Sequence, residues 1–308
     1  MKHVKSLSTL ALLALLAMVP QGCKTKPAGK VFANPEAAAQ ALLEGLKAND
    51  LPQLETIFGA GQAAAFASGD DVSDRHDREV IGLAMQQSWR WAPLGTDRKE
   101  LIIGDEQWPF PIPLMKAGDG WQFDTEAGKQ EVLARRIGRN EIGVVDLCRA
   151  YVVMQRQYAS EPRDGKVAGM YAERIRSTPG RQDGLYWSAG PSEPPSPMGD
   201  LVAEAEVEGY DEAQSTAKPF WGYHFRILHG QGAAASGGAK SYFVNGNLSG
   251  GFALVAYPAK YRQSGVMTFI VNHEGVVFEK DLGEQTAKAA SSMEEYSPDS
   301  SWVQVPAR

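Results

Sequence analysis

The sequence predicts an α+β protein in two parts, and three observations carry that prediction. Apolar residues recur at helical spacing from Pro35 onward, the pattern turns extended between Glu100 and Phe123, and a long helical stretch is then followed by short β-rich runs separated by Gly and Asn turns. Three helices ahead of an antiparallel sheet, and then one long helix packed on a mainly antiparallel sheet, account for that order.

Pro35 stands at a first-turn position behind Asn34 as cap, and Ala38, Ala41, Leu42 and Leu46 share one face. Asn49 and Asp50 close this helix, and residues 51–58 make a second. Residues 59–77 are small and polar and read as a loop. A third helix is predicted over 79–91 from the spacing of Val80, Leu83 and Ala84. Residues 100–104 form a strand. The run Trp108-Pro109-Phe110-Pro111-Ile112-Pro113-Leu114 is extended, and because its prolines remove ladder donors it is placed at a sheet edge. Gly118-Asp119-Gly120 turns the chain into Trp121-Gln122-Phe123. Residues 126–160 predict the longest helix, kinked near Gly138, with Ile142, Val145, Cys148, Val152, Gln155 and Tyr158 down one side. Five prolines make 178–200 irregular. Strands follow at 221–228, 250–257, 266–271 and 276–279, and a closing helix at 282–293.

The first residues bear on export. Lys2 and Lys5 precede an apolar run over 7–19, shorter than the roughly 20 residues that a membrane span needs, and Gln21-Gly22-Cys23 follows. This is the layout of a secretory signal ending at a lipid-modified cysteine, with Pro20 where such sites carry leucine. The divisions are a signal peptide at 1–22, a polar tether at 23–31, an N-terminal α+β domain at 32–127 and a second domain at 128–308. Lipidation at Cys23 makes the membrane the first expected partner. Lys24 is not the aspartate that retains lipoproteins at the inner membrane, so the expected location is the periplasmic side of the envelope, at the outer membrane.

The net charge of -6, more negative by two once Lys2 and Lys5 are removed, argues against nucleic acid as a partner. With Cys23 lipidated, Cys148 has no disulfide partner and its spacing places it on an apolar helical face. The glycine-rich run from Gly232 to Ser241 fails the spacing of a phosphate loop and reads as a flexible turn. The cluster Asp70, Asp71, Asp74, His76 and Asp77 departs from a calcium loop and reads as a solvated acidic loop. His224 and His229 fall on opposite faces of an extended chain, and His273 belongs to a turn. Arg135, Arg136 and Arg139 read as a solvated helix face, with ion pairing between the domains as the alternative. No metal, cofactor or nucleophilic serine frame is expected. The aromatics Trp108, Phe110, Trp121, Phe123, Tyr186 and Trp187 bracket prolines and glycines, as in clefts for sugars, peptides or lipids. They are the candidate pocket residues.

The motifs Trp108-Pro-Phe-Pro-Ile-Pro-Leu, Gly120-Trp-Gln-Phe-Asp124, Arg135-Arg-Ile-Gly-Arg-Asn-Glu141, Asp183-Gly-Leu-Tyr-Trp187, Ser196-Pro-Met-Gly199, Gly222-Tyr-His-Phe-Arg226 and Gly265-Val-Met-Thr-Phe269 resemble the bacterial family catalogued as domain of unknown function 2950. The resemblance covers nearly the whole mature chain and implies an exported protein, commonly a lipoprotein, without catalytic residues to carry over. Residues 32–125 are similar to the cone-like fold of nuclear transport factor 2 relatives, which implies a curved sheet and a pocket. Residues 140–281 resemble the globular part of type IV pilins and pseudopilins, although another domain precedes the helix here, so filament assembly is not implied. The function expected is a non-catalytic module that binds an envelope protein or a small apolar or sugar-like ligand. The alternative is an envelope hydrolase using carboxylates near 108–124, which would gather two or more of Asp119, Asp124, Glu126 and Asp183 around one closed pocket.

Overall fold

The computed structural model describes residues 29–62, 71–190, 193–199 and 219–307. The expected α+β class is what it shows, with five helices and antiparallel sheets among the described residues. In helix α1 (Pro35–Lys47) the Ala37 amide donates to Asn34 Oδ1 at 2.8 Å, and α2 (Leu51–Phe58) repeats the device with Gln53 N donating to Asp50 Oδ1 at 3.0 Å. Leu42, Leu46, Leu54, Ile57 and Phe58 are buried between them and the first sheet. Each such side chain contributes roughly 1.5–3 kcal/mol by leaving water.

Helix α3 spans Asp71–Gln87, not 79–91. Its first turns are polar, which hid them, but Asp71 and Asp74 in the first turn suit the positive end of the helix dipole. Trp89 and Trp91, expected in that helix, lie in strand β1 (Trp89–Pro93), which pairs antiparallel with β2 (Arg98–Ile103). β3 (Trp108–Pro109) pairs with β2 as an edge, and Pro111 and Pro113 occupy the unpaired gap that follows. β4 (Leu114–Ala117) then enters the sheet interior, between β2 and β5 (Gly120–Phe123). The prolines therefore mark an edge only in the first half of their segment.

Helix α4 (Thr125–Ala159) runs unbroken through Gly138. A Cβ there would meet nothing within 4 Å, so the glycine neither serves a close contact nor kinks the helix. The first turns rest on the N-terminal core, where a Cβ on Gly128 would come within 2.7 Å of Ile112. The later turns bury Val144, Val145, Leu147, Cys148, Tyr151, Val152 and Tyr158 in the second core.

Short strands β6 (Arg174–Arg176) and β7 (Gly184–Tyr186) pair in parallel after α4. The main sheet of the second half is built from β8 (Tyr223–Leu228), β13 (Ala253–Pro258), β14 (Met267–Asn272), β15 (Val277–Asp281) and β17 (Val303–Gln304). Its order is β17-β15-β14-β13-β8, antiparallel throughout. Between β8 and β13 lie four two-residue strands, β9 (Gly230–Gln231), β10 (Lys240–Ser241), β11 (Phe243–Val244) and β12 (Asn247–Leu248). The predicted closing helix is a 3-10 turn at Gly283–Gln285 followed by α5 (Thr286–Ser291). β16 (Glu295–Tyr296) pairs with β9. Helix α4 covers one face of the sheet, the face of Tyr223 and Phe269. Across the other, Arg226 donates to the Ala290 carbonyl in the last turn of α5 and to the Met293 carbonyl just after it, and Phe278 meets the Tyr296 ring.

Candidate functional site

The six aromatic residues singled out by the sequence are divided between the two halves. Phe110 and Phe123 lie inside the N-terminal core, where Phe32, Phe58 and Phe110 all meet the Phe123 ring edge-on at 5.4–6.4 Å. Their surface is spent on packing. Trp108 is 37% exposed and stacks under the Arg135 guanidinium at 5.0 Å. Trp121 is half-buried, with the Lys99 and Lys116 ammonium groups over its ring at 5.6 and 5.9 Å. In the second half Tyr186 and Trp187 are buried, under Arg176 and Arg163 respectively, and the Trp187 indole donates to the Pro194 carbonyl at 3.3 Å. Cys23 lies outside the described residues.

The four carboxylates named for hydrolysis each have another place. Asp124 caps α4, accepting from Ala127 N at 3.1 Å, and pairs with Arg98 at 2.9 Å. Glu126 pairs with Lys129 one turn on, and Asp119 is exposed at a turn. Asp183 accepts from the Thr178 amide and hydroxyl at 2.7 and 2.8 Å. Burial acts to raise Asp183, but the Thr178 bonds and Arg174 outweigh it and its pKa is lowered. These roles organise turns and a helix start.

The predicted acidic loop is largely helix. Asp77 takes a two-pronged bond from Arg139 of α4 at 2.8 Å on each arm, and Asp74 and Asp77 both face Arg136. Of the arginines predicted as a solvated face, Arg136 and Arg139 thus join α3 to α4 and Arg135 bonds Glu131 and the Pro109 carbonyl, while Asp70 lies outside the described residues. Among the described residues, no three His, Cys, Asp or Glu side chains gather where they could hold a metal ion. His224 stacks on Tyr257, and His229 meets Phe243. Cys148 is fully buried, and burial pushes its thiol up to about 12, which makes it unreactive.

The glycine-rich run is not a loose turn. Gln231, wholly buried, donates to the Ser236 and Gly238 carbonyls at 2.7 Å each and accepts from the Tyr242 hydroxyl at 3.0 Å. One side chain thereby serves as the missing partner for the backbone of the 232–240 loop.

The sequence reading missed a groove beside the outer strand of the second sheet. β8 ends the strand order, so no strand pairs with its far side among the described residues. Ala259 N donates to Gly222 O at 2.9 Å in register with the β8–β13 ladder, which directs the His224 and Arg226 amides toward β13. Phe225 and Ile227 therefore turn their N–H and C=O groups outward. Glu173, Arg174 and Ile175 of the β6 segment and His229 complete a groove of about 320 Å3 along this edge. Its walls combine apolar Ile175, Phe225 and Ile227 with the charged Glu173–Lys166 pair at 2.6 Å and exposed Arg174. The alternation of Phe225 and Ile227 was visible in the sequence, but strand order was not.

A family model described as "Protein of unknown function (DUF2950)" matches residues 29–305, and the chain belongs to that family. No curated protein and no solved structure matches it.

Proposed function

We propose, with membership of this family as the premise, that the chain is an exported envelope protein, tethered by a lipid on Cys23 at the periplasmic side of the outer membrane, that works by binding and not by catalysis. Its partner is an extended segment of another envelope protein, laid along β8. The observation that carries this reading is the edge of β8 with which no strand pairs among the described residues, where outward Phe225 and Ile227 backbone groups meet a groove with apolar walls and charged rims. An added strand gains main-chain hydrogen bonds from such an edge and selectivity from alternate side chains. The signal-like first residues and the polar tether support export and anchoring.

A photo-crosslinking residue at Arg174 or His229, both exposed, tests the docking edge in the native host. One discrete adduct is expected at these positions, absent from the same residue at exposed Val153 of α4, and lost when Phe225 is replaced by proline. Proline at 225 removes an outward N–H without touching the β13 ladder. An adduct equally strong at Val153, or one indifferent to Phe225→Pro in a folded variant, sinks the docking reading. Mass spectrometry of the native protein decides the tether separately: an unmodified Cys23 removes it.

A further inference from the structure

The chain enters the fold at one end of the first sheet, and that end differs from the rest of this acidic protein. Phe32 pairs with Trp121 on β5, N to O at 2.7 Å and back at 2.8 Å, and the Lys30 ammonium stands 5.3 Å over the Phe32 ring. Two hairpin ends meet this entry strand. Lys99 of the β1–β2 hairpin and Lys116 of the β4–β5 hairpin both lie over Trp121, and Lys116 N donates to Asp97 O at 2.9 Å, which holds the hairpins together. Val31, 53% exposed, projects over Gly120 of the second hairpin, and Leu94, 45% exposed, tips the first.

Three lysines, an amphipathic indole and two exposed aliphatic side chains thus share one end. The acids on the same turns are Asp97 and Asp119. Among the described residues no carboxylate forms an ion pair with Lys30, Lys99 or Lys116. Upstream, residues 24–29 add Lys24 and Lys26 and no acid. Lysine ammonium groups held over aromatic rings with no carboxylate partner among the described residues, and aliphatic side chains beside them, match the chemistry of a lipid headgroup layer, with anionic phosphate outside and acyl chains just beneath.

We propose that this face, Lys30, Val31, Leu94, Lys99, Lys116 and Trp121, seats the protein against an anionic membrane surface. The inference deepens the tether reading and rests on it for direction, because a lipid on Cys23 brings the chain entry at Lys30 toward the bilayer. Seating this end leaves the second domain, at the far end of α4's long rod, to reach for its partner.

Co-sedimentation with vesicles tests the face without the lipid. The chain from Lys24 onward, which contains every described residue, is mixed with vesicles of phosphatidylcholine alone or with roughly a third phosphatidylglycerol, at low and high salt. Binding is expected only to the anionic vesicles and is expected to weaken as salt rises. Each lysine close to such a surface is worth about fivefold in binding. Lys99→Ala with Lys116→Ala should therefore lower it by about 25-fold, while Lys260→Ala with Lys288→Ala, the same change of charge in the second domain, should leave it within twofold. Thermal unfolding of both variants checks that they fold. No binding of the unsubstituted chain to anionic vesicles, or an equal loss in the two double variants, overturns the proposal. Either result leaves the mass of Cys23, and with it the tether reading, to be judged on its own.

Discussion

Glu141→Ala should loosen the seam between α4 and the second sheet more than any other single carboxylate removal in that helix. Glu141 Oε1 accepts from Val266 N at 2.8 Å and Met267 N at 3.0 Å, and the Tyr223 hydroxyl lies 3.4 Å away while donating to Met267 O at 3.0 Å. Beside it Asn140 Nδ2 donates to Ser264 O at 2.9 Å. Hydrogen bonds to a charged acceptor are worth roughly 1.5–3 kcal/mol each, so two amides make an upper figure of about 3–6 kcal/mol. Glu141 is half-buried, so water replaces part of what is lost, and relief of its repulsion with Glu279 offsets more. A net loss of about 2–3 kcal/mol is expected for Glu141→Ala, and about 1 kcal/mol for Glu141→Gln, which keeps an acceptor oxygen. Urea unfolding at neutral pH reads both through the midpoint, with the slope unchanged. A Glu141→Ala unfolding free energy within about 0.5 kcal/mol of the unsubstituted chain, on the order of the noise of surface substitutions, would refute the clamp. Titration of Glu279 in Glu141→Gln supplies a second readout, since that carboxyl should move back toward its ordinary value.

Glu279 carries a pH prediction of its own. Burial, and then the neighbouring Glu141, raise its pKa above the ordinary 4.5, so the folded chain holds this proton more tightly than the unfolded one. Its ionisation costs stability as pH climbs past 4.5, and Glu279→Gln should raise the melting temperature at pH 7 with a gain that vanishes below about pH 4.5. A gain that persists at pH 3.5 counts against this cause. Gln231→Leu should cost about 2–4 kcal/mol, because it leaves the Ser236 and Gly238 carbonyls and the Tyr242 hydroxyl without their buried partner. Faster hydrogen exchange confined to residues 232–242 is the expected signature, and unchanged exchange there would contradict the assignment of Gln231 as organiser of the loop.

What the sequence disclosed followed from local chemistry. The Asn34 cap, Pro35 and the apolar stripe of α1 act within one turn of chain, and the strands at β8, β13, β14 and β15 announce themselves by β-branched and aromatic runs between Gly and Asn turns. The start of α3 did not, because its acids meet their partners, Arg136 and Arg139, on a helix far along the chain. Gly138 misled for the opposite reason: a single glycine costs a helix only about 1 kcal/mol, and α4 is held by a core at each end. The aromatics misled because the same alternation in Trp108–Phe123 serves a packed core at Phe110 and Phe123 and a surface at Trp108 and Trp121. The β8 groove is a property of strand order, which no local pattern encodes.

Three of the motifs on which the family resemblance was read also have a structural place that involves no reaction. Arg135 to Glu141, Gly222 to Arg226 and Gly265 to Phe269 converge on one seam. A Cβ on Gly265 would stand 2.0 Å from the Tyr223 hydroxyl, one on Gly222 would stand 2.6 Å from Ser264, and one on Gly143 would stand 2.9 Å from Trp221. Gly222 also needs its φ of 68°, a conformation that side chains disfavour. With Asn140 and Glu141 bonded to the backbone at Ser264, Val266 and Met267, and with Arg139 reaching back to Asp77, the seam joins the first domain, α4 and the second sheet. The residues of these three motifs therefore fix the relation between the two halves. Under the two proposals above, a lysine-rich end for the membrane and a strand edge on the second half would be useful together only if the rod between them does not bend. Loosening the seam with Glu141→Ala should leave vesicle binding intact while weakening the crosslink at Arg174, and loss of both together would mean that the variant had simply unfolded.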